Sequence, residues 1–356
     1  MALIDIILQQ PSYGWKTATG ELVTPGRKQL FSEVLSRINI FKTKKNWISM
    51  LSVIMIVCLL PLLYLFITRY FSWPLLIVVV FYSLIIMGVH GTVWYHRFCT
   101  HRAYKFSHPI WRFITQHLVV KTIPEEIYVV SHHVHHSKSD QPGDPYNSRG
   151  GLWYCMLAEF NHQRVAPDLS ETDYNKASRF MQHTGVWINS YKQYKRWGSV
   201  AHPAYTVFTW LFNWALWGTL LYFIGGPGLV CAIFSSALLW FILVRAFNYT
   251  GHAKGEEKHV DGLDFDRSNL SINQTRPGLF TGEWHNNHHL YPGSARAGFL
   301  RHQFDPAWMF IYFMYKVGMV SSYHDSKAEF LKRYTAAITN NAGAELLEAA
   351  PSEQSV

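Results

Sequence analysis

The chain has 356 residues and a formal net charge of +9, with many aromatic residues (16%) and few charged ones (15%). Roughly a quarter of the residues in an average soluble protein are charged, so this composition favours a membrane protein, although a mean hydropathy of −0.01 places only part of the mass in lipid. The positive charge flanks apolar segments and forms no basic helix, which argues against nucleic acid and favours anionic headgroups or an acidic protein as partners.

Four apolar segments have the length that a helix needs to cross a bilayer, which is about 20 residues. A very short connection at residues 69–72 separates the first two, and a Gly-Gly-Pro-Gly turn at residues 225–228 separates the last two. Each pair therefore predicts an antiparallel transmembrane hairpin, and the predicted spans are residues 47–68, 73–95, 205–224 and 229–247. We expect an all-α membrane protein built on these four helices.

The order of the spans predicts a topology. Basic residues are concentrated in residues 1–46, whereas the two loops on the opposite side carry only Arg69. By the positive-inside rule, the termini and the long polar segments then face the cytoplasm, at the inner membrane if the protein is bacterial. Residues 47–339 are expected to form one domain after a cytosolic N-terminal segment. Residues 340–356 are expected to be a disordered tail. The apolar residues 109–120 are too short to span and predict a buried or interfacial helix.

Histidines recur at two spacings in the polar segments. His96 and His101 form an H-x-x-x-x-H group at the end of the second predicted span. An H-x-x-H-H group occurs twice, at His132, His135 and His136 and again at His285, His288 and His289. Positions i, i+3 and i+4 lie on one face of a helix, so each H-x-x-H-H group is expected to direct three imidazoles at one point. Eight clustered imidazoles indicate a metal site.

The number of histidines predicts two metal ions, because a structural zinc takes about four ligands and a catalytic zinc about three. Imidazole suits iron, copper, zinc and nickel. Two irons beside an apolar, lipid-facing compartment favour the use of O2 against an unreactive C–H bond. His252, one helical turn after Asn248 at the end of the fourth span, is a ninth candidate ligand, and Asn248 is a candidate to hold a metal-bound water.

Three carboxylates lie near these groups in the sequence, namely Asp140, Asp144 and Glu283. Each is a candidate to accept the N–H of the second ring nitrogen of a ligating histidine, which orients the imidazole. The Gly-Asp-Pro setting of Asp144 predicts a fixed turn, whereas Asp140 is equally compatible with a solvated surface acid. His133 competes with its neighbour His132, but only His132 completes the H-x-x-H-H spacing.

These groups resemble the histidine boxes of membrane fatty acid desaturases of the stearoyl-CoA type. The resemblance covers residues 89–318 and rests on three stretches, which read YHRFCTHR from Tyr95, HHVHHSKSD from His132 and WHNNHH from Trp284. Shorter matches read GDPYN from Gly143 and SAR from Ser294. The chain departs from the family pattern at GEWH from Gly282, where the family usually has a second glycine before the aromatic residue.

The resemblance implies a four-helix membrane protein whose cytosolic helical cap holds a di-iron site and uses O2 as co-substrate. Carried over by motif, the iron ligands would be His96, His101, His132, His135, His136, His252, His285, His288 and His289, with Asn248 acting through a water. It also implies a fatty acid or acyl thioester substrate in a bent tunnel beside the metals. Because the chain contains no haem-binding His-Pro-Gly-Gly segment, electrons would come from a separate ferredoxin or cytochrome b5.

Two enzymatic activities stay open. The first is desaturation of a fatty acyl chain with O2 and two electrons. The second is oxidative decarboxylation of a medium-chain fatty acid to a terminal 1-alkene, as in the bacterial 1-undecene-forming enzymes, whose boxes are similar. A membrane metal transporter is disfavoured, because transporters place polar groups within their spans, whereas these histidines flank the spans.

Overall fold

Helices dominate the computed structural model, which describes residues 2–252, 284–301 and 303–336. Up to the first histidine group it contains α1 (Leu3–Ile6), α2 (Arg27–Ile38), a 3-10 turn (Lys44–Asn46), α3 (Trp47–Leu65), α4 (Trp73–Phe81) and α5 (Gly88–His90), with π-helical segments at Phe66–Tyr70, Tyr82–Met87 and Gly91–Thr100. The predicted tail at residues 340–356 lies outside the described residues.

The remaining elements surround the second and third histidine groups. They are β1 (Tyr104–Phe106), α6 (Pro109–Gln116), α7 (Glu125–Lys138), α8 (Leu152–Asn161), α9 (Glu171–Ser178), α10 (Tyr191–Trp197), α11 (Pro203–Thr250), α12 (His285–Leu290), α13 (Pro306–Lys316) and β2 (Val320–Tyr323), with 3-10 turns at Ser148–Gly150 and Gln182–Thr184. Residues 327–336 are also helical. The predicted helix at residues 109–120 forms as α6 and ends earlier, at Gln116.

Among the described residues, three helices are long and apolar enough to cross a membrane, namely Lys44–Tyr70, Trp73–Thr100 and Pro203–Thr250. The second begins where the Ser72 side chain accepts a hydrogen bond from the Leu75 N–H, and Pro74 fits its first turn, where no N–H donor is needed. This helix continues through a π-helical segment instead of ending near residue 95, so His96 lies inside the helix and not after it.

The long helix α11 is interrupted at the predicted glycine turn. Gly225 has φ −145° and ψ 17°, and Gly226 has φ 67° and ψ −168°, a conformation open to glycine because it has no Cβ. The rings of Trp214 and Phe234 lie 5.3 Å apart, although residues so spaced on a straight helix would be about 30 Å apart. The two halves of α11 therefore fold back on each other.

The described residues are mostly helical, as expected, and in addition β1 and β2 form a two-stranded antiparallel sheet. Tyr104 pairs with Tyr323, and Lys105 pairs with Ser322. The strands belong to segments more than 200 residues apart, so the pairing depends on the tertiary fold. Its effect is to fix the chain just after His101 against the C-terminal segment.

A buried core lies directly beside the first histidine group. The ring of Phe98 lies 5.2 Å from that of Trp94 and 5.4 Å from that of Tyr104, and all three side chains are buried. Arg97, also buried, donates to the Ala295 carbonyl over 2.6 Å and to the carboxylate of Asp305 over 3.1 Å. The helix that carries His96 is thereby tied to the segment that follows α12.

Candidate metal centre

The first histidine group lies on the π-helical segment Gly91–Thr100. An α-helix turns by about 100° per residue, so residues five positions apart would point about 140° away from each other. A π-helical turn closes its hydrogen bonds between residues five apart, and here the His101 N–H donates to the His96 carbonyl over 3.1 Å. The two imidazoles therefore lie on one side, with ring centroids 4.9 Å apart.

The second and third groups divide their histidines in the same way. On α7, His132 and His136 point into one cluster and His135 points into another. On α12 the i and i+4 histidines again share a cluster, and the i+3 histidine lies in the other. Positions i and i+4 differ by about 40° around a helix, but i+3 and i+4 differ by about 100°. The expectation that each H-x-x-H-H group directs three imidazoles at one point is therefore wrong, because each helix faces both clusters.

The nine candidate histidines form two compact clusters, in each of which the potential ligand nitrogens lie within 4.8 Å of one another. The first cluster contains His96, His101, His132, His136 and His288, and the second contains His135, His252, His285 and His289. His133, the competitor of His132, lies in neither cluster and stacks on Phe180 with ring centroids 4.3 Å apart. The structure thus brings together every histidine that the sequence nominated as a ligand.

Distances between imidazole nitrogens fit a shared metal ion. Nε2 of His288 lies 2.8 Å from Nε2 of His96 and 2.9 Å from Nε2 of His136, which is itself 3.1 Å from Nε2 of His132. Two nitrogens bound at right angles to one ion, each at about 2.1 Å, would be about 3.0 Å apart. A ring nitrogen carries either one proton or one lone pair, so hydrogen bonding alone does not account for a nitrogen with two such close partners.

Burial favours the neutral form of four of the clustered imidazoles, and the neutral form is the one that binds metal. Desolvation holds the pKa of His132 and His288 well below the usual histidine value, and the neighbouring imidazoles lower it further. The same causes lower the pKa of His136 and His289. Lone pairs are therefore available on these four imidazoles, which include members of both clusters.

Asp144 has the position that the sequence predicted for a carboxylate beside a ligand. Its Oδ1 lies 3.0 Å from Nδ1 of His135, and the backbone N–H groups of Asp140 and Tyr146 donate to its carboxylate over 3.1 Å and 3.2 Å. Burial raises the pKa of Asp144 to about 8. Of the neighbouring groups, His252 lowers this pKa and Asp140 raises it. The carboxyl is thus fixed in a turn and oriented towards the second cluster.

Asp140 is a buried residue and not a solvated surface acid. Its side chain is 3% exposed, and Oδ1 lies 3.2 Å from Nδ1 of His252. Its backbone has φ 61°, a left-handed conformation that aspartate tolerates better than most residues. On the first cluster, the Tyr146 hydroxyl is in close contact with Nδ1 of His132. The third predicted carboxylate, Glu283, lies outside the described residues.

An apolar cavity of about 480 Å³ reaches the clusters from among the long helices. Its wall at the clusters contains His96, His132, His135, His252, His285 and Asn248. Leu84, which lies twelve residues before His96 on the same helix, also lines the cavity. Asn248 is half-buried and lies one turn before His252. The cavity therefore extends from the clusters along this helix, and its lining is mostly apolar.

Sequence reasoning missed the residues that hold the third group in place. The buried Asn287, between two candidate ligands, donates to the Ala297 carbonyl over 2.8 Å and to Oε1 of Gln303 over 2.9 Å. Asp305 accepts from the N–H groups of Ala297 and Trp308, each over 2.8 Å, and pairs with Arg97. An amide within a histidine group was the available signal, but its partners are not adjacent in the sequence.

Comparisons with known proteins agree with this site. A family model described as "Fatty acid desaturase" matches residues 71–308, which is more than half of the chain. The acyl-CoA C20 Delta5-desaturase of Anemone leveillei is 28% identical over 74% of this chain and 78% of that protein. The sn-1 stearoyl-lipid 9-desaturase of Synechocystis sp. is 26% identical over 71% of this chain and 73% of that protein.

A probable acyl-CoA desaturase of Schizosaccharomyces pombe is 28% identical over 67% of this chain, and the match spans about half of that protein's length (46%). The family match includes all three histidine groups and both clusters. The helices that carry these groups and the cavity that reaches them belong to the same region. The chain is therefore a member of the fatty acid desaturase family.

Proposed function

We propose that this protein is an integral membrane desaturase that binds two irons and introduces a double bond into a fatty acyl chain with O2 and two electrons. The observation that carries the proposal is the position of two imidazole clusters at one end of an apolar cavity. The names of the three relatives describe acyl-CoA or lipid-linked acyl substrates, so desaturation is preferred to the 1-alkene-forming decarboxylation.

Each cluster would hold one iron, with five histidines in the first and four in the second, and Asn248 would complete the second through a water. When bound, the irons would supply the activation of O2 needed to remove hydrogen from an unactivated C–H bond. Asp144 and Asp140 would orient His135 and His252, because each carboxylate lies within about 3 Å of the Nδ1 atom of its histidine. The tertiary contacts of Arg97 and Asn287 would keep the histidine-bearing elements in register.

The protein's own contribution to specificity would be the cavity. Its lining, which includes Leu84, Trp240 and Val244, would bind the acyl chain and exclude water from the reacting carbons. Which carbons meet the clusters would depend on how deeply the chain enters. A fixed depth would produce one double-bond position.

The proposed membrane arrangement has four spans in two hairpins, with the glycine break of α11 as the second turn. Supporting it are the three apolar helices and the close approach of Trp214 to Phe234. With basic residues concentrated before the first span, the positive-inside rule places the clusters on the cytoplasmic side under a helical cap. The desaturase domain would comprise residues 47–339, preceded by the cytosolic residues 1–46, and a separate ferredoxin or cytochrome b5 would supply electrons.

The test is product analysis after expression in a bacterium with a ferredoxin and its reductase, fed with saturated fatty acids of graded length. Gas chromatography–mass spectrometry would cover both the lipids and the headspace. One new double bond at unchanged carbon number is the expected result. An alkene one carbon shorter would assign the decarboxylation instead, and neither product from an iron-loaded, reduced protein would contradict both.

A further inference from the structure

The histidine clusters lie between two cavities. The second, also of about 480 Å³, lies beside His101 and is lined in addition by His133 and Phe180. His101 is half-buried, whereas His96 is only 4% exposed and lines the apolar cavity instead. The first cluster is therefore approached from the protein surface through His101, on a side that an acyl chain in the apolar cavity would leave open.

Basic side chains surround this second cavity. Arg102, Lys176 and Arg179 line it, and all three are exposed. Among the charged residues that the structure describes there, Asp173 lies 3.5 Å from Lys176, and Asp5 pairs at 2.6 Å with a further cation, Lys138. The rim keeps a positive excess, and at physiological ionic strength its field extends for about 8 Å into solvent.

The Arg102 side chain is fixed by a hydrogen bond to the backbone of Arg179. Arg102 has φ 52°, a left-handed conformation that is uncommon outside glycine, and its Nη2 donates to the Arg179 carbonyl. The backbone conformation directly after His101 therefore fixes a guanidinium at the mouth of the cavity. Grouped surface charges of one sign weaken a fold slightly but steer a partner of opposite charge.

The proposed reaction requires a reductant. One O2 becomes two waters, for which the two C–H bonds of the substrate supply two hydrogens with their electrons. Two further electrons and two protons must come from outside the substrate. A protein that carries one electron must therefore approach the clusters twice per turnover, and it must do so on the side away from the acyl chain.

We propose that Arg102, Lys176 and Arg179 form the docking surface of a small acidic one-electron carrier protein, which reduces the iron pair from the His101 side. Each encounter oxidises the carrier by one electron and reduces the centre by one. This inference rests on the proposed function, and it adds the place and the charge of the partner. Charge complementarity of this kind acts mainly on the association rate.

The test uses the full chain, iron-loaded in lipid nanodiscs, and the double charge reversal Lys176→Glu with Arg179→Glu. Arg102 is left intact because it follows a candidate ligand. Lys28→Glu, an exposed residue on α2 away from the second cavity, is the matched control. Two quantities are measured at low and high salt, namely the Kd for an oxidised acidic [2Fe–2S] ferredoxin and the rate at which reduced ferredoxin reduces the iron anaerobically.

For the double variant we expect a loss of about tenfold or more in affinity and in reduction rate at low salt, and a flatter salt dependence. Reduction by dithionite is the internal reference, and the ratio of ferredoxin-driven to dithionite-driven rates should fall. An unchanged ratio, or an equal fall in Lys28→Glu, would overturn the docking surface. Absence of any product in the wild type with dithionite and O2 would instead overturn the proposed function, while the binding measurement would still report on the surface.

Discussion

His96 and His101 lie one π-helical turn apart, and their imidazoles line different cavities. His96 borders the apolar cavity among the long helices, and His101 borders the basic cavity at the surface. Both belong to the same cluster, with ring centroids 4.9 Å apart. A single turn of one helix thus connects the compartment suited to the substrate with the surface suited to the reductant.

Removing one ligand from the second cluster should abolish activity. We expect His135→Ala or His285→Ala to lose iron and product formation while still inserting into the membrane, because the spans do not depend on these side chains. Iron per protein by mass spectrometry and product by gas chromatography would measure this. His324→Ala is the control, since His324 lies in neither cluster, and full activity in either cluster variant would refute the ligand assignment.

Replacing the carboxylate beside His135 should weaken iron binding without removing it. Asp144→Asn keeps the shape of the side chain but removes the ionisable carboxyl group whose Oδ1 lies 3.0 Å from Nδ1 of His135. Losses of about 10- to 100-fold in metal affinity are typical for such partners, and competition with a chelator of known affinity would measure them. Asp173→Asn is the control, because Asp173 pairs with Lys176 at the surface and lies beside no candidate ligand. Equal iron affinity in the two variants would argue against an orienting role for Asp144.

Glu126 should give folding stability a pH dependence. It is buried at the start of α7 and accepts from the Ala201 N–H over 2.6 Å, and burial raises its pKa from 4.5 to about 7. A carboxyl with a raised pKa binds more protons in the folded state, so its contribution to stability falls as pH rises from about 4.5 to about 7 and is level above that.

Glu126→Gln should remove this dependence, so the difference in unfolding temperature between variant and wild type should grow in the variant's favour across that pH range. Thermal unfolding in detergent at several pH values would measure it. The exposed Glu171→Gln serves as control. A variant whose unfolding temperature changes with pH in parallel with the wild type would contradict the raised pKa.

Gly91 should influence the chain length of the substrate. A Cβ at this position would lie 2.9 Å from Cζ2 of Trp240, and both residues line the apolar cavity. Gly91→Ala must therefore displace the indole and reshape the cavity, so we expect a change of about tenfold in the preference between fatty acids of different length. Gly218→Ala, where nothing lies within 4 Å, should leave the preference unchanged in the same competition experiment.

Spacing and hydropathy alone located the histidines, the apolar helices and the glycine turn. The i, i+4 spacing also paired Asn248 with His252, and the Gly-Asp-Pro sequence placed Asp144 in a turn. Both are relations between near neighbours in the chain, and near neighbours determine local backbone geometry. The apolar pattern of residues 109–120 likewise predicted a helix, and the helix forms but ends at Gln116.

The division of the histidines between two clusters was decided by the tertiary structure. His135 and His136 are adjacent in the sequence but point into different clusters, because consecutive residues differ by about 100° around a helix and other segments complete each cluster. Likewise, the pairing of Tyr104 with Tyr323 and the contact of Arg97 with Asp305 join segments that no local pattern connects. Which imidazoles meet, and which cavity each one borders, depends on packing between distant elements, and sequence spacing does not contain that information.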